Sequence, residues 1–109
     1  MEESKYMKAF FKELEKTQSK ISIDKIIKMV NIMFNAWKDN KTIFVIGNGG
    51  SASTATHFSC DIAKDTIVVN KRRFKTMSLV DNIQLVSSWT NDNGFETIFE
   101  EQLKPWLLP

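Results

Sequence analysis

The sequence predicts an α/β fold, a doubly wound parallel sheet that is incomplete in this chain and preceded by a helical segment. Three observations predict it. Thr42–Ile46 is a short run that is apolar at every position after the first, the pattern of a strand covered on both faces. The run ends in Gly47-Asn48-Gly49-Gly50-Ser51 and then a helical pattern, so a strand, a tight turn and a helix N-terminus follow in succession. A second strand and helix come after it, at Thr76–Val80 and from Asp81 onward.

The elements can be justified in chain order. Over residues 4–19, Tyr6, Met7, Phe10, Phe11 and Leu14 recur at helical spacing between charged positions. This predicts an amphipathic helix whose aromatic stripe covers apolar surface on the domain or on a second subunit. Ser22 is the expected N-cap of the next helix, with Asp24 favourable in its first turn. Ile23, Ile26, Ile27, Val30, Met33, Phe34 and Trp37 carry its stripe, and Asn40 is suited to a left-handed C-cap. After the glycine turn, Ala55, Phe58 and Ile62 mark the packed face of the third helix. Thr66–Asn70 reads as a short strand or an extended loop. Asp81 and Gln84 have capping-box spacing, with Asp81 at N-cap and Gln84 at N3, before a helix carrying Leu85, Val86 and Trp89. Asn91-Asp92-Asn93-Gly94 is a turn by composition. A last helix runs from about Phe95, with Ile98, Phe99 and Leu103 on one face, and Pro105 ends it.

Length and composition bound the function. A chain of 109 residues is one domain at most. The net charge is +2, with lysine and arginine scattered, and the one basic run, Lys71-Arg72-Arg73, reads as a solvated loop rather than a nucleic-acid surface. A single cysteine, Cys60, allows no intrachain disulfide, so a reducing compartment and a cytoplasmic protein are expected. No apolar run approaches the ~18 residues of a membrane span, and the N-terminus lacks signal-peptide character. Two strands leave a long sheet edge. The chain also ends on the apolar Trp106-Leu107-Leu108-Pro109. The expectation is that a partner completes the sheet or that this is the front of a longer domain.

Three groups of residues carry candidate chemistry. Around Gly47-Asn48-Gly49-Gly50-Ser51, the backbone is bare of side chains at a helix N-terminus. Free amides and the helix dipole there suit an anion such as a phosphate, although a tight turn with no ligand would use the same residues. No Walker Lys-Ser/Thr follows. Gly47-x-Gly49-x-x-Ala52 does match the dinucleotide fingerprint, with Arg72 and Arg73 as partners for an NADP 2′-phosphate, but no acidic residue ends the would-be second strand. His57 and Asp61, at i and i+4, share a helix face. Such a pair can hold a metal or move a proton; it can equally be a surface pair or a satisfied buried histidine. Cys60 reads as a small buried packing residue rather than a third ligand. Trp37, Trp89 and Trp106 read as core or subunit contacts.

Phe44-Val45-Ile46-Gly47-Asn48-Gly49-Gly50-Ser51-Ala52, followed by His57-Phe58, resembles the sugar isomerase (SIS) domain. Within that family it is similar to the phosphoheptose isomerase branch, whose signature is GNGGSA-x4-HF-x2-E. Ser78-Leu79-Val80-Asp81-Asn82, Asn91-Asp92-x-Gly94-Phe95 and Phe99-x-x-Gln102-Leu103 resemble it as well, so the resemblance covers roughly residues 23–109.

The resemblance implies a doubly wound parallel sheet, a homodimer or homotetramer, and an N-terminal helical segment packed between subunits. Residues 1–22 would then be an oligomerisation segment and 23–109 a partial SIS domain. It implies interconversion of sedoheptulose 7-phosphate and a heptose 7-phosphate through an enediol. Asn48, Gly49, Gly50, Asn91 and Asp92 would contact the sugar phosphate, with Ser51 near its phosphate or sugar. His57 would be a zinc ligand, and Asp61 the second ligand and an acid or base. The family pattern has Glu where Asp61 stands. One methylene less withdraws the carboxylate by about 1 Å, a misplacement that can cost on the order of 100-fold in rate. In the family a later Ser/Thr-rich loop grips the phosphate, and a Gln and a His complete the metal site. The 109 residues alone are therefore expected to be inactive. A non-catalytic SIS binding module and an NADP-binding fragment are the alternatives.

Overall fold

The structure is a computed structural model and describes residues 1–107; Leu108 and Pro109, the end of the apolar run, lie outside the described residues. Seven elements follow in the expected order: α1 (Glu2–Gln18), α2 (Ile23–Lys38), β1 (Thr42–Val45), α3 (Gly50–Lys64), β2 (Lys75–Ser78), α4 (Ile83–Asn93) and α5 (Ile98–Leu103). Short 3-10 turns at Phe95–Thr97 and Lys104–Trp106 flank α5. The chain separates into two compact units, Met1–Ile32 and Met33–Pro109, so the division falls inside α2.

In the first unit, Glu2 and Glu3 sit at the positive end of the α1 dipole and Lys16 at its negative end. No residue of α1 is buried, and Tyr6, Met7, Phe10, Phe11 and Leu14 are all exposed, Tyr6 to 68%. Ser22 caps α2 as expected, accepting from Lys25 N at 3.3 Å.

In the second unit, α2 closes with Asn40 at φ 58°. Lys41 N donates to Ala36 O and Asn40 N to Trp37 O, the paired bonds of a Schellman motif. β1 and β2 run parallel, with Thr42 opposite Lys75 and Val45 opposite Ser78. Leu79 N extends the ladder to Val45 O at 3.0 Å. Helix α3 packs on both strands. The core holds Ala55, Leu79 and Ile98 together with the polar Ser59, Ser78 and Gln102. Gln102 is tolerated there because its Nε2 donates to Leu79 O and Ile98 O, at 3.0 and 2.8 Å.

Several elements differ from expectation for identifiable reasons. β1 stops at Val45, all four of its residues are half-buried, and Ile46 is 52% exposed, because a two-stranded sheet leaves an uncovered edge on each strand. Thr66–Asn70 forms no strand. Asn70 turns to φ 62° and Lys71 N closes onto Val68 O, so the apolar Ile67, Val68 and Val69 remain exposed. Leu79 and Val80 lie beyond β2. Asn82, not Asp81, caps α4, accepting from Leu85 N at 3.1 Å. Asn91, Asp92 and Asn93 are the last turn of α4 rather than a loop, and Gly94 breaks the helix at φ 99°. Cys60 is exposed, not packed, since Ala55 and Ser59 occupy the inward face of α3. Trp37 is half-buried and Trp106 is 52% exposed. Trp37 stacks on Phe34 with ring centroids 5.1 Å apart and donates from Nε1 to Arg72 O at 2.7 Å.

Candidate functional site

The turn after β1 uses its glycines for different purposes. A Cβ on Gly47 would lie 2.1 Å from Ser51 O, so only glycine lets the strand end pass the first turn of α3. Gly49 holds φ 56°, which disfavours any side chain. Gly50 has open space where a Cβ would be. Ser51 N, Ala52 N and Ser53 N are taken up by Asn48 O and Gly49 O. The amides of Asn48, Gly49 and Gly50 have no acceptor among the described residues, and Gly49 supplies no side-chain cap. Three free N–H groups therefore stand at the positive end of a 15-residue helix. The Ser51 side chain is exposed beside them.

Further along α3 lie His57, seven residues or roughly 10 Å of helix rise from Gly50, and Asp61, about one turn beyond it. Their side chains are 79% and 50% exposed, and His57 Nδ1 stands 3.0 Å from Asp61 Oδ1. The His57 pKa is raised above its ordinary value. The largest cause is a hydrogen bond to the residue's own backbone, followed by the charge and hydrogen bond of Asp61 and, more weakly, the charge of Asp65. His57 lines two adjacent surface hollows. One of about 600 Å³ is shared with Ala52, Ser53, Thr56, Cys60 and Val80. The other, of about 450 Å³, is shared with Ser53, Thr54, Phe58 and Asp61.

Not every expected residue comes to this place. Asn91 and Asp92 are exposed in the last turn of α4. Asn91 Nδ2 donates to Asp92 Oδ1 at 2.8 Å, and no hydrogen bond among the described residues ties either to the glycine turn. Arg72 and Arg73 precede β2, at the amino end of the parallel pair, whereas the glycine turn leaves its carboxyl end. Arg72 Nη2 instead donates to Lys38 O at the end of α2. The geometry thus separates the two arginines from the turn that the dinucleotide alternative needs them to serve.

Other contacts near the site carry little sequence signal. Thr56 Oγ1 donates to Asp81 Oδ1 at 2.6 Å and lies 3.4 Å from Ser78 Oγ; Ser59 Oγ lies 2.9 Å from Thr76 Oγ1. These hydroxyls fix α3 against β2 and the turn after it. The one hint is that Thr56 and Ser59 are three residues apart beside Ala52 and Ala55, so a small polar row borders the apolar face.

Zinc requires about four donors. Among the described residues no group of three or more His, Cys, Asp or Glu side chains is placed to hold a metal ion, and His57 and Asp61 stand 3.0 Å apart as an exposed pair. The donor set in this chain does not fit zinc. No helix is long and apolar enough to cross a membrane.

A parallel strand pair whose glycine turn opens a helix at the carboxyl end of the sheet defines an α/β domain with free amides gathered at one helix N-terminus. Residues 5–105 match the SIS domain, and the chain belongs to that family. It is 50% identical over 78 residues to the lincomycin biosynthesis protein LmbN of Streptomyces lincolnensis, covering 72% of this chain and 28% of that protein. It is 31% identical over 84 residues to the phosphoheptose isomerase of Aquifex aeolicus, covering 77% of this chain and 44% of that one. The structure of phosphoheptose isomerase GmhA from Neisseria gonorrhoeae superposes with a TM-score of 0.79 at 20% identity, over 96% of this chain and 55% of that chain. That likeness establishes the shared fold. The chain therefore spans about half or less of the length of these relatives.

Proposed function

We propose that this chain binds a sugar phosphate through the Asn48, Gly49 and Gly50 amides, as the front part of an aldose–ketose isomerase site of the phosphoheptose isomerase type. The observation that carries the reading is the trio of unpaired amides at the N-terminus of α3, with no Cβ at Gly49 or Gly50 to keep a phosphate away. Ser51 lies at the same corner, where its hydroxyl would meet the phosphate or sugar. Asn91 and Asp92 complete the substrate contacts in this reading, by resemblance alone. His57 and Asp61 belong at the reacting end, where an enediol forms by moving a proton beside a carbonyl. The relatives named phosphoheptose isomerase support sedoheptulose 7-phosphate as the first substrate to test.

Residues 1–22 serve as an oligomerisation segment in this proposal and 23–109 as the part of the SIS domain that holds the glycine turn. The exposed aromatic stripe of α1 supports a homodimer or homotetramer. The single cysteine supports a cytoplasmic setting.

Calorimetric titration with sedoheptulose 7-phosphate, with phosphate-free sedoheptulose as control, tests the binding. The phosphate ester should bind and the free sugar should not. Gly50→Asp, a tolerated change at an open helix N-terminus, should weaken binding on the order of tenfold or more by placing a like charge at the cradle. Equal affinity for the two sugars, or an unaffected Gly50→Asp, would refute the proposed phosphate contact.

One observation favours a second reading, a non-catalytic SIS binding module: Asp61 stands in place of the family Glu and is engaged with His57. Sugar-phosphate binding without isomerisation, with or without added zinc, would select it.

A further inference from the structure

We propose that the turn between α3 and β2 is a contact for an anionic membrane surface: Val68 and Val69 enter the bilayer interface while Lys71 and Arg73, with neighbouring cations, meet the lipid headgroups. Lys71 N closes onto Val68 O at 3.1 Å and Asn70 takes φ 62°, so residues 68–71 form a tight four-residue turn with Val69 at its apex. Val69 is 82% exposed and Val68 60%, and Ile67 beside them is exposed as well. After Met1, Val69 is the most exposed large hydrophobic residue among those described. Three successive β-branched aliphatic side chains thus stand on a convex tip.

Five cations flank that tip. Lys64 lies in the last turn of α3, and Lys71-Arg72-Arg73 follow the turn directly. Lys38 is held beside them because Arg72 Nη2 donates to its carbonyl at 3.0 Å. Of the acids nearest in the chain, Asp39 pairs with Lys41 at 3.4 Å, and Asp65 stands alone against the five. A bland role for the cations is to satisfy carbonyls at the end of α2. It accounts for Arg72, and for Lys75, whose Nζ donates to Asn40 O. It does not account for Lys71 or Arg73, whose side chains have no hydrogen-bond or ion-pair partner among the described residues. Lys71 and Val68 instead share the rim of one hollow of about 280 Å³ with Phe34 and Trp37.

An aliphatic tip ringed by lysine and arginine matches the two forces that hold a peripheral protein on an anionic bilayer, apolar burial and headgroup attraction. A protein partner fits less well. Three convex side chains offer on the order of a few hundred Å² of apolar surface, against the ~1,000 Å² or more that a stable protein interface needs. A second copy docked tip to tip would bring like charges together.

The test is co-sedimentation of the chain with vesicles of phosphatidylcholine containing about one-third phosphatidylserine, with pure phosphatidylcholine vesicles as control and no sugar phosphate present. The chain should bind the anionic vesicles and not the neutral ones, and salt at about 0.5 M should release it. Lys71→Gln with Arg73→Gln should weaken binding on the order of twentyfold, about fivefold for each cation. Val68→Ser with Val69→Ser, which leaves the charge unchanged, should weaken it about tenfold or more, and Val69→Trp should strengthen it. Circular dichroism checks that each variant is folded. No sedimentation with anionic vesicles would overturn the proposal and leave the tip to a protein surface. Equal binding to neutral vesicles would overturn it too, by crediting apolar adhesion such as that of the α1 stripe. Binding that ignores the serine pair would deny the tip any insertion, and binding that ignores the glutamine pair would deny these cations their role; either result would refute it.

Discussion

Gly47 and Gly50 stand three residues apart, and substitution should affect them oppositely. A methyl group on Gly47 would meet Ser51 O at 2.1 Å, backbone against backbone, with no flexible neighbour to yield. Gly47→Ala should therefore cost about 3 kcal/mol or abolish folding, within the range for overpacked and strained sites. Gly50→Ala meets nothing within 4 Å and replaces a poor helix former with the best one, so it should stabilise by up to about 1 kcal/mol. Urea unfolding monitored by circular dichroism measures both. His57 supplies a second prediction at this scale. Its folded pKa is raised, by the bond to its own backbone first and by Asp61 next. The protonated form is therefore favoured in the folded state. Its contribution to stability is full below pH 6.5, the unfolded value, and is lost as pH rises through the folded pKa. An NMR titration should place the His57 midpoint above 6.5, and Asp61→Asn should lower it by removing the charge.

At the scale of elements, polar contacts hold the second unit together as much as apolar ones do. The buried set is small, and half of it is Ser59, Ser78 and Gln102. Gln102 donates twice, to Leu79 O and Ile98 O, and so ties α5 to the end of β2. Gln102→Leu removes those donors and should cost about 1–3 kcal/mol in a denaturant titration. A gain in stability would mean that apolar contact alone holds α5 there.

The helices were legible from their stripes, and so were Ser22 and Asn40 as helix ends, because capping is local chemistry. The strand at Thr66–Asn70 was not. Its apolar residues look like a buried run, but pairing requires a neighbour, and the Asn70 turn takes the chain elsewhere. Asp81 misled for a related reason. Both Asp81 and Asn82 can cap a helix, and the choice was made by Thr56, twenty-five residues away in sequence. The glycine turn was legible as a turn. That Gly47 answers to packing, Gly49 to φ and Gly50 to neither appeared only with the backbone in place.

For the whole molecule, the exposed apolar faces matter most. Helix α1 buries no residue, and Phe10, Phe11 and Leu14 remain 50%, 59% and 43% exposed. A stripe of that size on one helix is far from the scattered exposure of an ordinary surface. The proposed homo-oligomer predicts a solution mass of a dimer or more by light scattering, and Phe10→Asp with Phe11→Asp should reduce it toward the monomer. A wild-type monomer at high micromolar concentration would remove that role from α1. The family assignment rests on residues 5–105, and the parallel pair with its glycine turn is the part of that span on which the proposed phosphate contact depends.

The most direct test of the central claim is an amide NMR titration with sedoheptulose 7-phosphate, observed residue by residue. The account predicts saturable shifts centred on the Asn48, Gly49 and Gly50 amides, spreading to Ser51 and the first turn of α3, and absent when the unphosphorylated sugar is used. Shifts that bypass those three amides, or that the free sugar reproduces, would contradict it.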